Sequence, residues 1–586
     1  MILKGQKRMW SMKNKIYNVL IPLLVFVQPI IDIITSFMMK NNMSITAGII
    51  TKMFILLLAL IYLVFIDKNK NKNIIYIALI FVIVVINLYN NGTVFNEHKM
   101  LYAGYLFKYL YLMIMLVYFV KWILENGEIK LSEFRIPLII LGVSFILSFI
   151  TKTGIESYDS TRIGTSFWFS SANELGAFLS ILFPISVYNL LYLNDKKIID
   201  WFNFILCYFA LFALGTKTGL LASIITLFCC IIYKLINIKK EKNNLKYLVI
   251  LVLFLLPFFF WNSVPAVHNT KSKINFEKIE IKKPDNKSID KEAVSRVVLS
   301  GRDKFNEEIK EKSESVTSDN KFLNKLVGKS YVKDNKILIV EQDLKDINNM
   351  FGIISLIIVL SIILYIIVKI GITILFSNGI SNPAFIYLSI SLFLALGISY
   401  ISGHMLLSAS VSTYFCLIFA MLNREIKKIR NNENNVMFIS SVGGHLTQLL
   451  TLKEVFNKYN YVLVTEKTDV TKNMSSEYNI RYLKYGSRKY ILNYIFIAFC
   501  NIFKSLYLIL KYNPKVIVTT GTHTAVPMCY YGWIFGRKII YIESFAKRTS
   551  PTLTGRLIYP IATTFVVQWE SMLKFYPKAE YWGGIY

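Results

Sequence analysis

The sequence predicts a multi-pass α-helical membrane protein joined to a C-terminal α/β unit with an open parallel sheet. Three observations predict it. Long apolar runs fill the chain to about residue 422. The basic loops between those runs share one phase. After the polar segment Asn423–Asn435, NREIKKIRNNENN, the pattern changes to short strand-sized and helix-sized segments in alternation. The composition agrees, because 54% of the 586 residues are hydrophobic and the mean hydropathy is +0.48, against about 45–50% apolar residues in a soluble chain. The formal charge is +30. Its Lys and Arg are spread over many short loops and build no single basic face, which argues against nucleic acid as a partner and follows the positive-inside rule for a lipid bilayer.

A span needs about 20 apolar residues. About twelve are expected, near 17–38, 47–66, 74–90, 100–122, 136–150, 169–192, 201–214, 218–236, 247–262, 350–370, 384–402 and 405–422. The basic N-terminus KGQKRMWSMKNK precedes the first and reads as no cleavable signal. With that terminus inside, the loops 68–72, 125–130, 194–197, 237–246 and 424–430 all fall on the inner side, which gives a multi-pass cell-membrane topology with a cytoplasmic C-terminal part. Thr151–Trp168, Gly215–Thr218, the long polar loop 263–349 and Gly403–His404 then lie outside. The domains expected are 1–422 in the membrane, 423–435 as linker and 436–586 as the soluble unit. Of the six cysteines, Cys207, Cys229, Cys230 and Cys416 lie in apolar runs, Cys500 and Cys529 lie in the C-terminal part, and no CxxC pair exists, so neither disulfides nor a metal site are expected. No cofactor is implied.

Polar residues beside the outer ends of the apolar runs mark the first candidate site: Arg162, then Asn173 and Glu174 in FWFSSANELG, Lys217 in LGTKTG, and Arg296 and Arg302 in SRVVLSGR. Ionisable groups at membrane depth are costly and mark substrate paths. Clustered cations suit a phosphorylated headgroup, which Arg grips with two parallel donors. Glu341, Asp343, Asp346 and His404 are alternative general bases nearby.

In the C-terminal part, 436–441, 461–466, 481–486, 515–521, 538–544 and 563–569 read as strands separated by helix-sized segments, which predicts parallel βαβ units. Three loops follow strands. SVGGH (441–445) offers Gly443, Gly444 and His445, TTGTHTAVP (519–527) offers Thr520 and Gly521, and YIESFAKRTSPTLTGR (541–556) offers Glu543, Ser544 and Arg548. Ligands of open α/β sheets sit at that strand edge. His445 and Glu543 are the candidate catalytic residues. The apolar, aromatic helix at 490–511 is either core or a surface that dips into the inner leaflet.

The ordered set RIGTSFWFSSANELG (162–176), LGTKTGL (214–220), LSGR (299–302), GKSY (328–331), EQDLKDINNMFG (341–352) and GHMLLSASVS (403–412) resembles the O-antigen ligase/polymerase superfamily of Wzy-type membrane glycosyltransferases. The resemblance implies a GT-C-like bundle that transfers a glycan, without metal, from a polyprenyl-pyrophosphate donor to an acceptor hydroxyl. Arg162, Lys217 and Arg302 match its cationic positions. Two departures stand out. Thr216–Lys217 replaces the family's frequent Ser-Arg, and Glu341, Asp343 and Asp346 occupy the place where its ligases often carry a histidine motif. The second departure favours polymerase over ligase.

Residues 436–586, from FISSVGGHLTQLL through TTGTHTAVP and ESFAKR to VVQWE and WGGIY, resemble the PssD-type family of capsule synthesis, related to the membrane-recruiting subunit of a split UDP-GlcNAc transferase. That implies a Rossmann-like half of a GT-B glycosyltransferase at the inner leaflet, with the UDP-sugar held by a separate partner subunit. The function expected is therefore bifunctional surface polysaccharide synthesis. Alternatives are a ligase that transfers the glycan to another acceptor, and a transporter or scaffold that only recruits a transferase partner.

Overall fold

The computed structural model describes residues 20–585 apart from 44–45, 126–128, 159–161, 239–243, 277–301, 315–320, 335, 378, 432–434 and 487–490. Arg296, expected at the first site, lies outside the described residues. The chain divides into two compact units, residues 1–370 with 380–426, and residues 371–379 with 427–586.

The first unit is a helix bundle. Helices α1 (Gln28–Lys40), α2 (Ala47–Ile61), α3 (Lys70–Asn90), α4 (Lys99–Glu125) and α5 (Arg135–Ile150) precede α6 (Ala172–Tyr192). Then come α7 (Lys197–Ala213), α8 (Lys217–Ile236), α9 (Asn244–Phe259), α10 (Pro265–Phe276), α11 (Arg302–Glu314), α12 (Lys321–Val327), α13 (Asp343–Phe376), α14 (Pro383–Ile401) and α15 (Ala409–Asn431). The central helix is α6, buried along most of its length and packed on α7, α8 and α14. The last helix, α15, is also buried on all sides over Val411–Leu422. Tyr414 Oη on it donates to the carbonyl of Val25 at 2.6 Å, and Thr413 pairs with Tyr111 on α4 at 2.8 Å.

Twelve spans are expected, but among the described residues nine helices are long and apolar enough to cross a membrane, or ten if Leu20–Phe26 and α1, bent by 56°, form one span. One of the nine is Ile491–Tyr512 in the second unit. Three expected spans fall short for physical reasons. Helix α7 has 17 residues with Lys197 and Asp200 at its start. Helix α9 has 16 residues. Helix α15 carries Arg424, Glu425, Lys427, Lys428 and Arg430 in its last two turns, so most of the expected linker 423–435 is helix rather than loop.

Two polar devices order the bundle. Arg135, at the start of α5, holds Asp200 through Nε (2.7 Å) and Nη2 (2.8 Å), and Asp195 through Nη1 (2.8 Å) and Nη2 (2.7 Å). This bidentate geometry gives Arg–carboxylate pairs their strength; Arg135 holds the Asp195 carboxyl down to about 2. At the end of α3, Asn87 donates to the carbonyls of Val327 (2.6 Å) and Met350 (2.8 Å), Asn90 donates to the carbonyl of Gly328 (2.8 Å), and Asn91 accepts from the amide of Ser330 (2.7 Å). The loop they clamp packs backbone on backbone. A Cβ on Gly352 (φ 79°) would stand 2.2 Å from the carbonyl oxygen of Leu326.

The second unit is a seven-stranded sheet in which every neighbouring pair is parallel. Its strands are β1 (Asn435–Ile439), β2 (Asn460–Lys467), β3 (Ile480–Lys484), β4 (Val516–Thr519), β5 (Lys538–Ile542), β6 (Thr564–Val567) and β7 (Glu580–Tyr581). The order is β3-β2-β1-β4-β5-β6-β7. The strands are near-continuous apolar runs, as they must be when both faces are covered. The order reverses between β1 and β4, where open α/β folds hold their ligands. Helix α16 (Gly444–Leu450) follows β1, and α17 (Ile491–Tyr512) leads into β4. Helix α17 buries Asn501, Ser505, Leu508 and Ile509. It leaves Leu492 86%, Phe496 61%, Phe499 57% and Phe503 56% exposed.

Candidate functional site

In the first unit, five of the predicted residues meet in one cavity of about 240 Å³: Arg162, Asn173, Lys217, Arg302 and Glu341. Local geometry brings them there. Gly215 (φ 68°) makes the turn before α8, where a Cβ would lie 2.2 Å from the carbonyl oxygen of Ile163. Thr165 donates its amide to Ala213 at 2.9 Å, which seats the Arg162 segment on that turn. Ser171 caps α6 by accepting from the amide of Glu174 (3.3 Å), and Thr216 caps α8 by accepting from Gly219 (3.2 Å). Asn173 and Lys217 therefore sit in the first turns of two long helices, whose unpaired N–H groups and dipoles favour an anion. The buried Arg302 donates through Nη2 to the Glu341 carboxylate (2.9 Å) and through Nε to the Glu341 carbonyl (3.1 Å). Arg162 stacks on Tyr158 at 5.1 Å. Burial pushes the Tyr158 phenol up, against the pull of Arg162 and Arg302.

The remaining predicted residues of this half lie elsewhere. Glu174 lines a different cavity. Asp343 is buried and accepts the amides of Met405 (3.0 Å) and Leu406 (2.8 Å), while Asp346 is buried and accepts those of Val340 (2.6 Å) and Gln342 (3.1 Å). These bonds fix the loops on either side of Gly403. His404 has φ 60°, rare for a side chain with a Cβ, and its buried Nε2 has no hydrogen-bond partner among the described residues. Sequence reasoning missed Asn269, whose amide accepts from Ile163 N (2.7 Å) and donates to the carbonyls of Ile163 (2.6 Å) and Gly215 (3.0 Å). A neutral residue in a stretch that the sequence reads as a long polar loop, here the helix α10, gives no pattern by which it can be found.

In the second unit, a cavity of about 430 Å³ is lined by Gly444, His445, Gln448, Ser544, Phe545 and Ala546. The first and third predicted loops thus meet at the C-terminal strand edge. The second loop backs them, because His445 Nδ1 contacts the Thr520 carbonyl at 2.7 Å and Thr520 Oγ1 donates to the His445 carbonyl at 2.8 Å. A carbonyl can only accept, so Nδ1 carries the proton and Nε2 of the neutral ring keeps its lone pair. Gly443 (φ 86°) and Gly521 (φ 94°) make the turns of these two loops.

Glu543 is 1% exposed, and its carboxylate accepts from Ser544 N (2.8 Å), Thr552 Oγ1 (2.9 Å) and Tyr576 Oη (2.9 Å). Burial, with the Glu543 charge next, pushes the Tyr576 phenol up and keeps it a donor. Arg548 is exposed and stacks on Trp569 at 5.0 Å. Gln448, missed from sequence, is buried on the cavity wall with Nε2 unpartnered among the described residues.

A bundle of membrane-crossing helices with a polar cavity, joined to a parallel α/β unit, defines a multi-pass membrane protein with an appended α/β domain. The chain belongs to the family described as O-antigen ligase like membrane proteins, which matches residues 13–429. Residues 435–585 match the family described as oligosaccharide biosynthesis protein Alg14 like. The relatives matched are named UDP-N-acetylglucosamine transferase subunit ALG14. The protein of Candida albicans is 41% identical over 80 residues, 13% of this chain and 36% of that protein. The mouse protein is 25% identical over 178 residues, 26% of this chain and 82% of that protein. The human protein is 22% identical over 206 residues, 30% of this chain and 95% of that protein. Among solved structures, Acinetobacter baumannii MurG matches with 13% identity and a TM-score of 0.21, over 24% of this chain and 42% of that one. The chain thus joins an O-antigen ligase-like membrane domain to an Alg14-like domain.

Proposed function

We propose that the membrane half polymerises polyprenyl-pyrophosphate-linked repeat units of a surface polysaccharide at the outer face of the cell membrane. The C-terminal half then serves, at the inner face, as the acceptor-binding and membrane-bound half of a UDP-sugar glycosyltransferase whose nucleotide site lies on a partner subunit. The single observation that carries the first part is the cavity ringed by Arg162, Lys217 and Arg302 and by the first turns of α6 and α8. Two helix dipoles and three cations aimed at one space suit a pyrophosphate, and they stabilise the charge that grows on it as the sugar–phosphate bond breaks. Arg302, held at Nε and Nη2 by Glu341, is fixed in place for that task. Asp343 and Asp346, their carboxylates spent on backbone amides, act as positioning residues.

In the C-terminal half, His445 Nε2 acts as base in the cavity, Glu543 holds Ser544, and Gly443, Gly444 and Thr520 shape the ligand loops. The exposed face of α17 docks on the inner leaflet, which agrees with its helical spacing of large apolar residues. The mouse and human relatives, named as subunits, support dependence on a partner.

The test is to analyse lipid-linked glycans in cells carrying Arg302→Ala or Lys217→Ala. Single repeats on the polyprenyl carrier should accumulate, with long chains reduced at least ~100-fold, the scale of losing one preorganised charge contact. Unchanged chain length with the protein present in membranes overturns the polymerase reading.

A further inference from the structure

A second cavity in the membrane half, of about 310 Å³, is lined by Asp32, Lys52, Glu174 and Ser410 together with Phe169 and Phe178. Asp32 and Lys52 stand in the apolar helix α1 and in the span begun by α2, where an ionisable pair is costly and marks a functional site by default. They are mostly buried, with side chains 15% and 12% exposed, and meet at 3.3 Å. Ser410, from the start of α15, accepts from Lys52 and donates to Asp32 at 2.8 Å. Ser36 Oγ on the cavity wall accepts the amide of Ser170 at 2.9 Å, so the α6 entry loop is tied to α1.

Glu174 is the odd member. It is half-buried, and its carboxylate has no hydrogen-bond or ionic partner among the described residues. The nearby carboxylates are committed: Glu341 to Arg302, Asp343 to the amides of Met405 and Leu406, Asp346 to those of Val340 and Gln342. Successive residues of one helical turn thus line two cavities, Asn173 the cationic one and Glu174 the second. The second holds one cation against two carboxylates, a balance that repels a pyrophosphate. Its hydroxyl, carboxylate and phenyl groups suit a neutral sugar, whose O–H groups donate to carboxylates and whose C–H faces lie on rings.

We propose that this second cavity is the acceptor subsite, holding the terminal sugar of the acceptor glycan, and that Glu174 is its general base. The inference rests on the reading of the cationic cavity as the donor site. The acceptor oxygen bonds to the anomeric carbon of the donor, and the carbon–oxygen bond to the pyrophosphate breaks. The electron pair leaves with the pyrophosphate into the cationic cavity. The acceptor proton passes to Glu174 and from there to water.

The test uses the full chain in membrane vesicles. The donor is the polyprenyl-pyrophosphate-linked repeat extracted from cells whose copy of the protein carries Arg302→Ala, in which the C-terminal half is intact. The acceptor is the oligosaccharide freed from that lipid by mild acid, which lacks pyrophosphate and cannot act as donor. Glu174→Gln, an isosteric change at an unpartnered group, should lower kcat about 100-fold or more and leave the donor KM unchanged; Glu174→Asp should restore part of the rate. Lys52→Met should raise the acceptor KM about tenfold without moving the donor KM. Independently of turnover, a diazirine-bearing form of the freed oligosaccharide should crosslink wild-type protein within 169–178, and unlabelled oligosaccharide should compete. A wild-type rate for Glu174→Gln, or no competed crosslink, overturns the proposal. If Arg302→Ala still abolishes transfer in that case, the donor reading stands and only the acceptor site falls; if Arg302→Ala is also active, the donor reading fails as well.

Discussion

The ring of His445 shows how one hydrogen bond can set a chemical role. With Nδ1–H given to the Thr520 carbonyl, the lone pair of the neutral ring is on Nε2. His445→Ala should lower sugar transfer by the partner-bound protein about 100-fold or more, while the hydrogen bond itself contributes only about 1 kcal/mol to folding. Transfer assayed beside a melting curve separates the two. Glu543 should behave in the opposite way. Its carboxylate satisfies Ser544, Thr552 and Tyr576, so Glu543→Ala leaves buried donors unmet and should cost about 2–4 kcal/mol, read as faster hydrogen exchange in β5 and β6. Single residues are where sequence and structure part company. Arg162, Lys217 and Arg302 can be picked out because a cation beside an apolar run is conspicuous. Asp343 and Asp346 look equally conspicuous, yet the amides they accept come from backbone, which leaves no trace in the letters. Asn269 leaves none either.

Elements are more legible than residues, because periodicity survives in the sequence. All of the strands expected at 436–441, 461–466, 481–486, 515–521, 538–544 and 563–569 form, to within a few residues. The two-residue β7 goes unforeseen, as does the antiparallel pair Val332–Lys333 with Lys336–Ile337 in the first unit, each being too short to carry a pattern. Helix α17 settles half of its ambiguity. Only four of its residues are buried, so it is not plain core. Its outer face runs Leu492, Ile495, Phe496, Phe499, Phe503, the i, i+3, i+4, i+7 spacing of one helical stripe. Each such side chain gains about 1.5–3 kcal/mol on leaving water. A carbene reagent dissolved in the bilayer should label Leu492, Phe496, Phe499 and Phe503 in membranes, and Phe496→Ser with Phe499→Ser should abolish that labelling without unfolding the sheet. Labelling confined to the other face would refute leaflet docking.

At the scale of the molecule, the division into an apolar bundle and a parallel α/β unit is plain from composition, whereas the number of spans is not. Hydropathy counts apolar runs, but α7 and α9 are too short and α15 ends in a basic turn. Of the three only α15 is enclosed by the bundle along its apolar part; α9 buries just Tyr247, Ile250 and Pro257. The position of α15 carries a consequence for how the protein is made. Synthesis runs from the N-terminus, and Tyr414 and Ser410 reach partners 389 and 378 residues earlier in the chain, at Val25 and Asp32. A buried helix of the bundle is therefore laid down after all the others. Until α15 leaves the ribosome, the carbonyl of Val25 and the Asp32–Lys52 pair lack the Tyr414 and Ser410 hydroxyls that close on them in the finished chain.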